Sequence, residues 1–239
     1  MKDSPIPFCG PMVTGVLEER KNKTRRLVNP QPNDVGFGRN CSVAPYCTGT
    51  AWPLAYYERR GACWNSSNPL KCPYGKAGDH LWVREAWRTA MQWDHLSPAE
   101  LPIDNFITAV QHIDYLADAG KKTQHGRYRH ARFMPRWASR TDLEITDIRI
   151  ERLHDITVED AIAEGIERAP EMPGGNFWKN YLFKTSHPKR RDTVVPECRE
   201  ILGYMDPISS FASLWDSING IGSYAAANPR VWVISFKLI

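Results

Sequence analysis

Between Asp142 and Leu153 the apolar residues change phase: Leu143 and Ile145 share one parity, Ile148 and Ile150 the other. Side chains in a strand alternate with a period of two, so a phase change inside one run predicts a bulge, and a bulged strand bends. A long bent strand fits a small barrel or a strongly bent mixed sheet better than a doubly wound sheet. The chain also lacks regular strand–helix alternation and a glycine-rich phosphate loop.

The other elements are read in the same way. Ile6–Phe8 reads as a short first strand, and Gly10-Pro11 opens a helix with Pro11 suited to its first position. Met12, Val16 and Leu17 give that helix an apolar side, and it ends near Arg20. Residues 23 to 28 return as a strand. His80–Trp87 alternates, with Leu81 and Val83 on one face and Trp82 and Arg84 on the other. In residues 155 to 165, Thr157 is a plausible N-cap, acids fill the first turn, and Gly165 suits the position after the last. Asp206-Pro207 starts a further helix bearing Phe211, Leu214, Trp215 and Ile218 on one side. The last strand carries Trp232, Ile234, Phe236 and Leu238 on one face. Stretches rich in Pro, Gly, Asn and Ser interrupt these elements at about 30–75, 92–126 and 169–205, the second with a helical piece expected around 106–119. The expectation is an α+β fold: one domain over residues 1–239, a small bent barrel with flanking helices and long loop insertions.

At 239 residues and 42% hydrophobic composition, a sizeable core is available. No stretch approaches the roughly 20 apolar residues of a membrane span, and the N-terminus has no signal-peptide core. A soluble, cytoplasmic protein with no membrane partner is expected. The net charge of +4 is unevenly spread. Arg20–Arg26 holds five basic residues and no acid, and Lys121–Arg140 seven Lys or Arg, two His and no acid. His187–Arg191 is a third cluster. Such clusters suit phosphate partners or, equally, a solvated face.

Four of the six cysteines, Cys41, Cys47, Cys63 and Cys72, fall close together, but none has Cys-x2-4-Cys spacing. Zinc binding and separate reduced thiols both stand as readings. No metal ligand is assigned, and no cofactor is expected. The signatures of P-loop nucleotidases, zinc proteases and nucleophile-elbow hydrolases are absent.

Four segments carry a resemblance: residues 11–26 (PMVTGVLEERKNKTRR), 78–85 (GDHLWVRE), 155–165 (DITVEDAIAEG) and 228–237 (NPRVWVISFK). In this order and spacing they resemble the ASCH domain, a relative of the PUA RNA-binding barrel. The long insertions, with residues 134–140 and 214–219, resemble its phage and prophage branch. The resemblance implies a PUA-like barrel and a cleft for RNA or nucleotides. One bacterial branch hydrolyses the amide of N4-acetylcytidine through a Lys-x-x-Thr motif and a later Glu. Carried over, these are Lys21, Thr24 and Glu164, with Arg26 matching a further arginine. Asn22 and Lys23 depart from that branch's pattern between Lys21 and Thr24.

Amide hydrolysis needs a nucleophile, a base and a proton donor for the leaving amine. Thr24 offers a hydroxyl. Lys21, among the cations Arg20, Lys23, Arg25 and Arg26, is a candidate base, because like charges favour the neutral amine. Glu164 is a candidate to protonate the cytosine amine or to orient water, and Arg26 a holder of an oxyanion or phosphate. A basic turn and a solvent-facing Thr24 would explain the same residues without chemistry. Arg25, Arg84, Glu85, Arg136, Trp137 and Arg140 are further candidates for substrate or nucleic-acid contact. Arg136, Trp137 and Arg140 combine cations with a stacking surface, although Trp137 equally suits a core anchor. Arg84 and Glu85 read as a cross-strand ion pair or as the wall beside Thr24. The expected partner is a modified nucleoside or RNA. The expected activity is an amidohydrolase on N4-acylated cytidine, against a non-catalytic nucleic-acid-binding module and, third, a nuclease.

Overall fold

The computed structural model describes residues 1–29, 31, 58–59, 62–63, 71–101, 113–118, 126–169, 177–182 and 203–239. Its centre is a five-stranded sheet formed by β1 (Asp3–Pro7), β2 (Lys23–Leu27), β3 (His80–Arg84), β4 (Asp142–Arg152) and β5 (Arg230–Leu238). The strand order is β1-β3-β4-β5-β2. Only β1 and β3 are parallel; the other three ladders are antiparallel. The fold is therefore mixed α+β with a mainly antiparallel sheet and few helices.

The phase change in β4 is a bulge. Ser235 lies opposite Asp147 and Phe236 opposite Ile145, which leaves Thr146 without a partner in the ladder. The extra residue returns Ile148 and Ile150 to the same core as Leu143 and Ile145. That core also takes Leu81 and Val83 of β3, Trp232, Ile234 and Phe236 of β5, and Val13 and Val16 of helix α1 (Gly10–Leu17). Leu238 and Leu17, expected on these apolar faces, are 43% and 42% exposed. The helical period brings Val13 inward in place of Leu17.

The opposite face of β5 is also buried. Val231 and Val233 pack with Ile156 and Ala161, and with Phe211, Leu214 and Trp215. The last three belong to α3 (Pro207–Asn219), while Ala161 lies on α2 (Val158–Ala163). Asp206 caps α3 by accepting from the amides of Ile208 and Ser209. Each of these buried aliphatic and aromatic side chains contributes about 1.5–3 kcal/mol, so a strand covered on both sides holds the molecule together.

The sheet bends without closing: among the described residues no ladder joins β1 to β2. A side chain spans the two edges, with Arg26 Nη2 of β2 donating to Pro7 O of β1 at 2.7 Å.

A third cluster, with Trp87, Met134 and Ala138 at its heart, forms a lobe beyond β3. Here Asp114–Tyr115 pairs with Trp87–Arg88 as a strand. Residues 114–118 are thus strand and turn where a helix was expected; residues 106–112 and 119 of that expectation lie outside the described residues. So do Cys41, Cys47 and the 187–191 basic cluster, and only the backbone of Cys63 is described. Cys72 is a free thiol. Among the described residues there is no group of three metal-ligating side chains, and no helix is long and apolar enough to cross a membrane.

Candidate active site

Strand β2 is an edge strand whose side chains alternate about the sheet. Thr24 and Arg26 stand opposite Ile234 and Trp232, on the side of the first core. Arg25 stands opposite Val233, which is flanked on its other side by Arg149 of β4. The register thus aligns two arginines on one face across a valine, and the carboxylates that balance them come from two elements.

The first is α2. Thr157 Oγ1 accepts from the amide of Asp160 at 3.2 Å, which fixes the first turn. Asp160 is then held by Lys23 at 2.5 Å, Arg25 at 2.7 Å and Arg149 at 2.8 Å. Burial pushes its carboxyl up, but the hydrogen bonds from Lys23 and Arg25 outweigh that and hold it below the ordinary carboxylate range. The second element is β4, where Glu151 pairs with Arg25 at 3.2 Å and with Arg149.

At the far end of α2 the chain leaves through Gly165 at φ +82°. Glu164, just before it, is turned inward and only 3% exposed. Its Oε2 accepts from Lys21 Nζ at 2.8 Å and its Oε1 from Arg25 Nη1 at 3.4 Å. Lys21 is equally buried. Its ammonium also donates to Lys23 O at 2.7 Å and to Glu164 O at 2.8 Å, so all three of its protons are engaged. Burial lowers its pKa, against the opposing pull of Glu164.

Beside this ion pair lies a cleft of about 320 Å³ lined by Thr24, Arg25, Arg26 and Glu164. Tyr74, Met12 of α1, and Phe211, Trp215 and Ile218 of α3 form its apolar walls. Thr24 is 1% exposed, and among the described residues its hydroxyl has no hydrogen-bond partner. Arg26 packs its guanidinium over the Phe8 ring at 5.4 Å. It has no carboxylate partner among the described residues, and burial lowers its pKa. The cleft therefore presents a hydroxyl, a carboxylate fixed by two cations, an arginine with no carboxylate bonded to it among the described residues, and flat apolar walls. That set suits a planar, polar molecule carrying a carbonyl or an anionic group.

The structure brings Lys21, Thr24, Arg25, Arg26 and Glu164 together and leaves the other candidates elsewhere. Glu85, 2% exposed, pairs with Arg140 at 2.8 Å rather than with Arg84. Arg140 also holds Asp118 at 2.7 Å and lies over Tyr115. Arg84 stacks on Trp82 at 4.5 Å, across the sheet from the first core. Arg136 is tied to Asp3 and Asp142, both at 2.9 Å. Trp137 meets Trp87 edge-on in the third cluster, as a core anchor. None of these lines the cleft, so the wall beside Thr24 is not Arg84–Glu85.

Sequence reasoning missed Asp160, Arg149 and Glu151, as well as Tyr74 and Trp215 as walls. The charges at 149 and 151 share a parity opposite to that of Ile148 and Ile150. That signal was present, but its meaning depends on a register with β2 set by β5. No protein-family model, curated protein or solved structure is significantly similar to this chain.

Proposed function

We propose that the cleft is the active site of an amidohydrolase acting on an N4-acylated cytosine, in an ASCH-type domain whose PUA-like barrel is left open at one seam. The observation that carries this reading is the convergence on one cleft of Thr24, Glu164, Arg25 and Arg26, with Lys21 buried against Glu164. The four segments that carry the family resemblance supply α1 and β2, β3, α2 and β5; of these, α1, β2 and the end of α2 meet at the cleft, β5 pairs with β2, and β3 lies farther along the sheet. A cleft of about 320 Å³ lies at the lower end of the roughly 300–1,000 Å³ usual for small-molecule sites, large enough for a nucleoside.

The hydrogen bonds constrain the roles of Lys21 and Glu164. Lys21 has no free lone pair while its three protons are engaged, so it serves as a fixed charge rather than as the base. Glu164 lines the cleft with its Oε1 held only loosely, and it is the group able to take a proton. Thr24 Oγ adds to the acyl carbonyl as its proton passes to Glu164, and Arg26 faces the oxyanion. The C–N bond then breaks, Glu164 returns the proton to the leaving N4 amine, and water releases the acid from Thr24. Walls of Trp215, Phe211 and Tyr74 suit a flat base.

The test is turnover of N4-acetylcytidine followed by chromatography, with Thr24→Val alongside. Cytidine release that falls by about 100-fold or more in the variant is expected for loss of a nucleophile. No release by the folded parent protein overturns the reading. The full engagement of Lys21 favours one alternative, a cleft that binds a modified base without turning it over; retention of N4-acetylcytidine unchanged would identify it.

A further inference from the structure

The basic segment from Arg127 to Arg140 divides into two kinds of arginine. Arg129 is consumed by the carbonyls of Trp93 and Leu96, and Arg136 and Arg140 by carboxylates. Arg132 is exposed and its neighbour Arg84 half-buried, and neither makes an ion pair among the described residues. The two are joined directly: Arg84 Nη1 donates to Arg132 O at 3.1 Å. Arg84 lies over the Trp82 ring at 4.5 Å, and its buried Nε–H has no acceptor. Arg132 leans over the Phe133 ring at 5.6 Å, and that ring is 57% exposed. Tyr128, in the same segment, is 54% exposed.

We propose that Arg84, Arg132 and Phe133 form a landing surface for single-stranded nucleic acid. Two guanidiniums without counter-charges suit successive phosphates, because each keeps in-plane N–H donors while its face rests on an aromatic ring. An exposed phenylalanine beside them offers a face on which an unpaired base stacks, and a base already in a duplex cannot use it. The stacking ring is Phe133 rather than Trp137, which is committed to the core of the lobe. Only the backbone of Arg84 reaches toward the cleft, while its side chain stands on the opposite face of the sheet. Arg84 O accepts from Phe8 N at 2.9 Å, and Pro7 O accepts from Arg26. If the cleft takes a cytosine, as proposed above, that base is expected to arrive on a strand. The landing surface itself does not depend on turnover.

The probe is a labelled single-stranded RNA of about 12 nucleotides, read by fluorescence anisotropy from 50 to 200 mM salt. Each phosphate neutralised adds about −0.7 to the slope of log affinity against log salt. The Arg84→Ala/Arg132→Ala protein is therefore expected to lose about 1.4 of the slope, and Arg84→Lys/Arg132→Lys to keep it. Phe133→Ala is expected to weaken binding roughly tenfold at constant slope, the loss of about one stacked base. The lysine and Phe133 variants keep the test intact if the double alanine protein fails to fold. An unchanged slope in the double alanine variant overturns the proposal. So does equal affinity for a duplex, which would mean a general polyanion surface, or for an acidic peptide, which would mean a protein partner. The assay reads no hydrolysis, so failure of the amidohydrolase reading leaves it unaffected.

Discussion

Replacing Lys21 by alanine removes a cation from a place where Glu164 has almost no contact with water. The carboxylate would keep only the 3.4 Å bond to Arg25. Breaking a buried pair from one side costs about 3–5 kcal/mol, and at this chain length each kcal/mol moves the melting temperature by about 2–4 °C. Lys21→Ala is expected to lower the midpoint of a circular-dichroism melt by roughly 6–20 °C. Thr24→Val exchanges a hydroxyl without a partner among the described residues for a methyl of similar size, and its midpoint is expected to stay within a few degrees. Equal melts for Lys21→Ala and the parent would show that the ion pair is not formed in solution. Of the two, only Thr24→Val separates chemistry from folding. The charged residues that meet at this cleft were legible in the sequence, but the buried surroundings of the lysine were not. A run of neighbouring cations reads as a device for neutralising Lys21, whereas Arg25 and Lys23 are turned toward Asp160 and Lys21 toward Glu164.

Helix α2 is the element on which the site depends, and the sequence displayed it most openly. Thr157 caps it, acids fill its first turn, and Gly165 ends it. All three signals act within a few residues, so no tertiary partner is needed to read them. The glycine does more than stop the helix. Its φ of +82° disfavours any side chain, and a Cβ there would lie 2.7 Å from the Cβ of Lys21. Gly165→Ala is expected to destabilise the fold by about 1–3 kcal/mol in urea unfolding and to shift Lys21 away from Glu164. A parent-like midpoint would mean that the turn has another low-energy form. Where an element owes its state to a distant partner, the sequence misled. Asp114–Tyr115 is a strand because Trp87–Arg88 offers it a ladder, and no local pattern announces that pairing.

At the scale of the whole molecule, Asp160 ties α2 to both β2 and β4 through Lys23, Arg25 and Arg149. Its folded carboxyl is held below the value of about 3.9 expected in an unfolded chain, so on acidification the unfolded chain takes up the proton first. The stability it contributes is present above about pH 4 and is lost as pH falls through the folded value. The difference in urea stability between the parent and Asp160→Asn is expected to be constant from pH 5 to 7 and to shrink below pH 4. A difference that persists into acid would mean that the carboxylate charge is not what the arginines hold. The bend of the sheet was legible from the phase change in β4, but its open seam was not, since closure depends on how two edges meet in space. The position of β5 bears on how the protein is made. Among the described residues strand β2 has no sheet partner except β5, and the two lie roughly 200 residues apart in the chain. At about 5–20 residues per second of synthesis, β2 and its buried-to-be charges wait some 10–40 s for residues 230–238. Until β5 emerges, the cations of β2 lack the strand that sets them opposite Trp232, Val233 and Ser235.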